Sequence, residues 1–200
     1  MKLLVLSDEP DKKYWDYYKD GDLDQFDLIL SAGDLPPQYL SYIVTFARCP
    51  VFYIHGNHDD CYEERPPEGC ICIDGKIVNY KGIRILGFGG SARYKPGVNQ
   101  YTENEMRKRV RSMKLKIAKQ GGFDVLLTHA PAAGLGDGRD HVHKGFECFR
   151  ELIETHHPKY HFYGHQHINY GGGSTRKIQF GDTVLLNATK SIIVDYEEGY

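Results

Sequence analysis

The stretch Val51-Phe52-Tyr53-Ile54-His55-Gly56-Asn57-His58-Asp59 decides how the chain is read. A short apolar run, residues 51–54, reads as a buried strand. It ends in a turn that carries an amide, an imidazole and a carboxylate. The same arrangement recurs along the chain. Residues 2–6 end at Ser7-Asp8, and residues 27–30 at Ala32-Gly33-Asp34. Residues 125–127 end at Thr128-His129, and residues 160–163 lead into Gly164-His165-Gln166-His167. Five strand-end loops thus each present a hard or borderline metal ligand. In open α/β sheets, ligands gather in the crevice outside the carboxyl ends of the strands.

Between these strands the pattern is helical. Residues 12–19 suit a short helix, and Pro36-Pro37 suits the first turn of one running to Ala47, because proline is tolerated there. Residues 70–74 and 76–80 flank Asp74-Gly75, a tight-turn dipeptide, and predict a hairpin, with a further strand at 83–87 after Lys81-Gly82. Met106, Val110, Met113 and Ile117 fall at helical spacing and predict one amphipathic helix over 102–119, ended by Gly121-Gly122. Phe146, Phe149, Leu152 and Ile153 place another helix, closed by Pro158, and residues 177–194 hold two or three strands. No repeat or linker divides the chain, and 200 residues suit a single domain, 1–200. Sheets covered by helices fit this order better than an all-β sandwich.

Composition excludes several classes. Lys and Arg total 25 against 27 Asp and Glu, a net charge of −2, which argues against bulk nucleic acid or an anionic membrane as an electrostatic partner. The apolar runs are too short for a membrane span or a secretory leader. The five cysteines are an odd count without framework spacing, so reduced thiols and a cytoplasmic location are expected. All ten histidines are clustered, at His55 and His58 and between His129 and His167. Carboxylate, imidazole and amide oxygen together suit manganese, iron or zinc, and no cysteine lies in these loops to build a thiolate zinc site.

The order Asp8, Gly33-Asp34, Gly56-Asn57-His58-Asp59, His129, Gly164-His165-Gln166-His167 resembles the calcineurin-like metallophosphoesterase family over residues 8–167. The resemblance implies an α/β fold, a four-layer α/β/β/α sandwich. It also implies a centre of two divalent metal ions, manganese first and iron or zinc after it, and hydrolysis of a phosphate ester. It makes Asp34 the bridge between the metals, with Asn57, His129 and His165 completing one site and Asp8 and His167 belonging to the other. His58 lies at the leaving group as general acid or phosphate donor, with Asp59 orienting it. The chemistry agrees: two cations clamp a phosphate and acidify a water, a carboxylate has two oxygens to bridge them, and Asn57 ligates without adding negative charge. His165 and His167, two apart, reach neighbouring metals only from an irregular loop, which Gly164 permits.

The sequence departs from the family at Asp8-Glu9-Pro10, where Asp-x-His is usual. Proline has no ligating side chain, so the metal position containing Asp8 and His167 is expected to be the weaker. Glu9 faces elsewhere if the strand alternates. A non-catalytic binding module is the alternative that Pro10 favours. A nuclease is the other, kept open by the basic run Arg107, Lys108, Arg109, Arg111, Lys114, Lys116 and Lys119. Without interleaved aromatics that run reads as a solvated face. Arg93, after Gly89-Gly90-Ser91-Ala92, is placed to grip a phosphate oxygen, and residues 134–144 form a loop over the site. Asp34 as a mere helix cap is the competing reading of that residue. His55 reads as structural, His156, His157 and His161 as surface or packing residues, and Cys70 and Cys72 as packing.

Overall fold

Alternation along the first strand sets what lies on each side of it. β1 (Lys2–Ser7) sends Leu3 and Val5 to one face and Leu4 and Leu6 to the other, and all four are fully buried. A strand buried on both faces belongs to a sheet covered on both sides. The structure, a computed structural model, describes residues 1–138, 140, 142–166 and 176–197.

In chain order β1 is followed by β2 (Leu28–Ser31), α1 (Pro37–Phe46), β3 (Val51–Tyr53) and β4 (Ile71–Cys72). Then come β5 (Lys76–Tyr80), β6 (Ile83–Phe88), β7 (Ser91–Ala92), β8 (Gln100–Tyr101), α2 (Glu103–Ser112) and α3 (Lys114–Lys119). The chain continues through β9 (Val125–Thr128), α4 (Glu147–His156), β10 (Tyr160–Tyr163), β11 (Lys177–Phe180), β12 (Thr183–Asn187) and β13 (Lys190–Asp195). One sheet has the order β13-β1-β2-β3-β4, parallel except for β13. The other has the order β11-β12-β10-β9-β6-β5, parallel except at its edges β11 and β5.

Three apolar clusters give the layers. Leu3, Val5, Leu30 and Phe52 meet Ile85, Val125, Leu127 and Phe162 between the sheets. Leu4, Leu6 and Ile29 pack on Tyr39, Leu40 and Ile43 of α1. Leu86, Phe88 and Leu126 pack on Met106, Ile117, Phe149 and Leu152 of α2, α3 and α4. The result is the expected four-layer α/β/β/α sandwich, with the ends of β1, β2, β3, β9 and β10 converging at one edge.

Three expected elements differ. Asp74-Gly75 is not a hairpin turn: β4 pairs in parallel with β3 in the first sheet, and β5 pairs with β6 in the second, so the chain changes sheets there. The turn itself closes, Lys76 N–H donating to Ile73 O at 3.0 Å, and the Asp74 carboxylate binds Gly89 N–H, His55 and Arg109. The hairpin turn lies at Lys81-Gly82, where Tyr80 faces Ile83. The helix expected over 102–119 breaks at Met113. Ser112 Oγ donates to Arg109 O at 2.7 Å, the carbonyl that the Met113 N–H would take in a continuous helix, and that N–H bonds Val110 O instead. Residues 12–19 form only a short 3₁₀ turn, Lys12–Tyr14, opened by the Asp11 side chain accepting from Lys13 N–H. All five cysteines are free, and among the described residues no helix is long and apolar enough to cross a membrane.

Candidate metal centre

The loops at the strand ends take an unusual backbone form. Asp8, Asp34 and His165, which follow β1, β2 and β10, have φ of +64°, +57° and +64°. A side chain in this left-handed form costs about 1–2 kcal/mol, and it turns away from the strand line into the crevice. Glycines let the neighbouring loops approach closely. A Cβ on Gly56 would lie 2.0 Å from Asp34 Oδ1, and one on Gly164 would lie 1.9 Å from Ser7 Oγ. Backbone N–H groups hold the carboxylates: His58 N–H donates to Asp34 Oδ1 at 2.8 Å, and His165 N–H to Asp8 Oδ1 at 2.9 Å.

Asp34, His129 and His165 offer ligand atoms that all lie within 4.8 Å of one another. His129 Nε2 is 2.9 Å from Asn57 Oδ1 and 3.3 Å from Asp34 Oδ2. Its Nδ1 lies 2.8 Å from Ala32 O, a carbonyl that only accepts, so Nδ1 carries the proton. By the same argument His165 Nε2 donates to Val142 O at 2.9 Å, which leaves Nδ1 bare. Each imidazole is thus held by a backbone carbonyl on one nitrogen and presents the other, the usual outer support of a metal-ligating histidine.

Electrostatics supports the same reading. Burial disfavours the Asp34 carboxylate, but the charge and hydrogen bond of His129 and the His58 N–H outweigh it, and its pKa falls to about 2. Burial likewise disfavours charge on His129, yet Asp34 and Asp8 lift it to about 9. Burial and the charge of His129 depress His165 to about 3. Burial raises Asp59 to about 6, with the nearby Asp34 charge adding to the rise. Asn57 Oδ1 and Asp34 Oδ2 both face His129 Nε2, and two acceptors hold such a nitrogen only through a proton or a cation. The donor set of carboxylate, amide oxygen and two imidazoles therefore fits a borderline divalent ion.

Of the residues expected at the site, Asp34, Asn57, His129 and His165 come together, and Asp8 is tied to them through the His165 N–H. His167 lies outside the described residues, as do 139 and 141 of the loop over the site. His58 is exposed. Asp59, expected to orient His58, instead accepts from Gly56 N–H at 2.6 Å and Asp34 N–H at 2.8 Å, and so braces two ligand loops. Asp34 does not cap α1, whose N-terminus has no side-chain cap. Glu9 turns aside to Lys190, 3.6 Å away. Arg93 donates to both oxygens of Glu105 at 3.0 and 2.8 Å, so a phosphate would have to displace that carboxylate. The basic face is only partly solvated: Arg107 pairs with Glu103 and Glu151, and Arg109 with Asp74. His161 is fully buried, a packing residue. Sequence reading missed Asp74, which clamps the Gly89 loop, and Tyr94, whose hydroxyl accepts from Asn57 Nδ2 at 3.3 Å. Both are distant in sequence from what they hold, and no motif marks them.

Known proteins share the family and the fold. The family described as calcineurin-like phosphoesterase matches residues 2–169. UPF0046 protein T07D4.2 of Caenorhabditis elegans is 30% identical over 119 residues, 58% of this chain and 29% of that protein, so the chain spans under a third of that relative's length. The crystal structure of TT1561 of Thermus thermophilus superposes with a TM-score of 0.61 at 14% identity, over 94% of this chain and 88% of that one. The 5′-nucleotidase of Candida albicans gives 0.55 at 13% identity, over 94% and 45%. At such identities the two structures show the fold alone. The family model covers most of the chain, and the family is one of metal-dependent phosphoesterases. The chain belongs to the calcineurin-like phosphoesterase family.

Proposed function

We propose that the chain hydrolyses phosphate esters, monoesters or diesters, at a centre of two divalent cations, with manganese the first choice and iron or zinc next. What supports this is the convergence of Asp34, Asn57, His129 and His165, with each imidazole held through its outer nitrogen by a backbone carbonyl. Asp34 has one oxygen on the His58 N–H and the other turned to His129, an orientation suited to bridging. Asn57, His129 and His165 complete the tighter position, while Asp8 and His167 serve the weaker one beside Pro10. When bound, the cations neutralise phosphate charge and acidify the attacking water. His58, exposed and next to Asn57, delivers a proton to the leaving group or a hydrogen bond to the phosphate. Asp59 keeps that loop against Asp34. The partial pairing of the basic helix weighs against a nuclease.

The test uses p-nitrophenyl phosphate and bis-p-nitrophenyl phosphate with added Mn²⁺, alongside alkyl esters, on wild type, His58→Ala and Asn57→Ala. General acid assistance is typically worth about 100- to 10,000-fold. His58→Ala should keep its cations and lose turnover in that range, most on alkyl esters. Asn57→Ala should lose cation and every substrate together. Wild type that binds cations and turns over nothing would favour the binding module instead.

A further inference from the structure

Residues 91–101 fold back on themselves beside the turn that carries Asn57. Ser91 N–H bonds Asn99 O at 3.1 Å and Arg93 N–H bonds Tyr101 O at 3.0 Å, joining β7 to β8. Gln100, only 1% exposed, fixes the loop between them: its Oε1 accepts the Tyr94 and Lys95 N–H groups at 3.3 and 3.2 Å. Asn99 Nδ2 reaches Asp60 Oδ1 at 3.4 Å, one residue beyond Asp59. The loop is thus tied to the Asn57 turn, and it brings the Tyr94 hydroxyl to 3.3 Å from Asn57 Nδ2.

The direction of that bond follows from Asn57. Its Oδ1 lies 2.9 Å from His129 Nε2, so the amide turns its oxygen to the cation position and its nitrogen to Tyr94. An amide nitrogen only donates, so Tyr94 receives with a lone pair, and the hydroxyl's own hydrogen is left to give to another group. Among the described residues the hydroxyl has no second partner. The Tyr94 ring is half-buried and lines an open cavity of about 550 Å³ with Arg93, Lys95, Pro96 and Gly97. Lys95 Nζ stands 5.4 Å from the ring centroid, so the wall beside the ring is cationic. A hydroxyl one amide's width from a cation ligand, on a cationic wall, suits an anion held at the cation.

We propose that Tyr94 contacts the substrate: its hydroxyl accepts from Asn57 and donates to a phosphate oxygen of the bound ester. The inference rests on reading the chain as a phosphoesterase with Asn57 as a cation ligand, and it involves the tighter position alone. No proton is transferred. The phenol keeps its hydrogen, so the contact acts on the phosphate whichever group leaves. Losing a hydrogen bond to a charged group weakens binding by about 10- to 100-fold.

The experiment is calorimetric titration of Mn²⁺-loaded protein with inorganic phosphate, for wild type and Tyr94→Phe. Mn²⁺ affinity is measured on the metal-free forms, and kcat/KM on aryl and alkyl phosphate esters. Phenylalanine keeps the half-buried ring and removes the hydroxyl. Tyr94→Phe should bind phosphate about 10- to 100-fold more weakly while holding Mn²⁺ within about threefold of wild type. Its kcat/KM should fall by one factor for both kinds of ester. Unchanged phosphate affinity overturns the inference. So does a drop in Mn²⁺ affinity as large as that for phosphate, which would make Tyr94 a support for Asn57. A loss confined to alkyl esters overturns it too, because Tyr94 would then serve the leaving group. A wild type that binds Mn²⁺ but neither phosphate nor any ester overturns the phosphoesterase reading itself, and the inference with it.

Discussion

His161 gives the protein an acid sensitivity that one substitution should remove. Thr128 Oγ1 lies 2.6 Å from Ala130 O and must donate to it, so towards His161 Nε2, 2.7 Å away, it accepts. Nε2 therefore carries the hydrogen, and Nδ1 is bare. Nδ1 is buried with no hydrogen-bond partner among the described residues. A second proton would have to sit there without an acceptor, and burial lowers the pKa from 6.5 to about 3. Above the unfolded value neither state is protonated, and His161 contributes nothing to the pH dependence. Between 6.5 and about 3 the unfolded chain binds a proton that the native one refuses, so stability falls as pH falls. At pH 4.5, two units below the unfolded pKa, the loss is about 2.7 kcal/mol at about 1.36 kcal/mol per unit. That corresponds to roughly 5–10 °C in Tm for a chain of this size. The assay is unfolding of wild type and His161→Phe at pH 7 and 4.5, where carboxylate titrations common to both cancel in the difference. From pH 7 to 4.5 the difference should move by about 2.7 kcal/mol in favour of the variant. Parallel curves would refute the reasoning, because His161 would then take up its proton in the folded state.

Two further outcomes follow from close contacts. Gly56→Ala would place a Cβ 2.0 Å from Asp34 Oδ1 and 2.4 Å from Asp34 N, so it should lower stability by about 1–3 kcal/mol and weaken cation binding. Normal Mn²⁺ affinity in a stable Gly56→Ala protein would show that the two loops need not touch. Asp74→Asn removes the charge that pairs with Arg109 and His55, and should cost about 3 kcal/mol in urea unfolding at neutral pH. An unchanged midpoint would mean that the Gly89 loop is held by its backbone alone.

Much of the site is legible because ligands follow apolar runs. Residues 2–6, 27–30, 51–54, 125–127 and 160–163 announce strands, and Asp8, Asp34, Asn57, His129 and His165 stand a few residues after them. The hairpin expected at Asp74-Gly75 does not form because the turn dipeptide is a local signal. Whether residues 71–72 pair forward with β5 or back with β3 depends on which sheet each strand joins, which local sequence does not encode. The break in the 102–119 helix is hidden because the apolar spacing continues through it: Met106, Met113 and Ile117 are all buried on one face. The role of Asp59 is obscured for a related reason. Its neighbour His58 is one residue away, but its partners Gly56 N and Asp34 N are set by a loop geometry that spacing alone does not reveal.

The left-handed residues explain why the strand-end loops tolerate their own strain. Asp8, Asp34 and His165 each adopt a form that a non-glycine residue resists. Such strain persists only where surrounding structure over-determines it. Here the same residues supply the restraint. Asp8 N–H bonds Gly33 O at 3.0 Å, immediately before Asp34. Asp34 N–H bonds Asp59 Oδ2, whose carboxylate also holds Gly56. His165 N–H returns to Asp8 Oδ1. Each strained residue thus gives its N–H to another strand-end loop, so relaxing one would break a bond to the next. The glycines at 56 and 164 lie where those loops cross: a Cβ on Gly56 would meet the Asp34 backbone, and one on Gly164 the side chains of Ser7 and Asp8. The loops are therefore held by the chain's own hydrogen bonds and by the core beneath them. What remains for a cation is the cluster of lone pairs at Asp34, Asn57, His129 and His165, already gathered before it arrives.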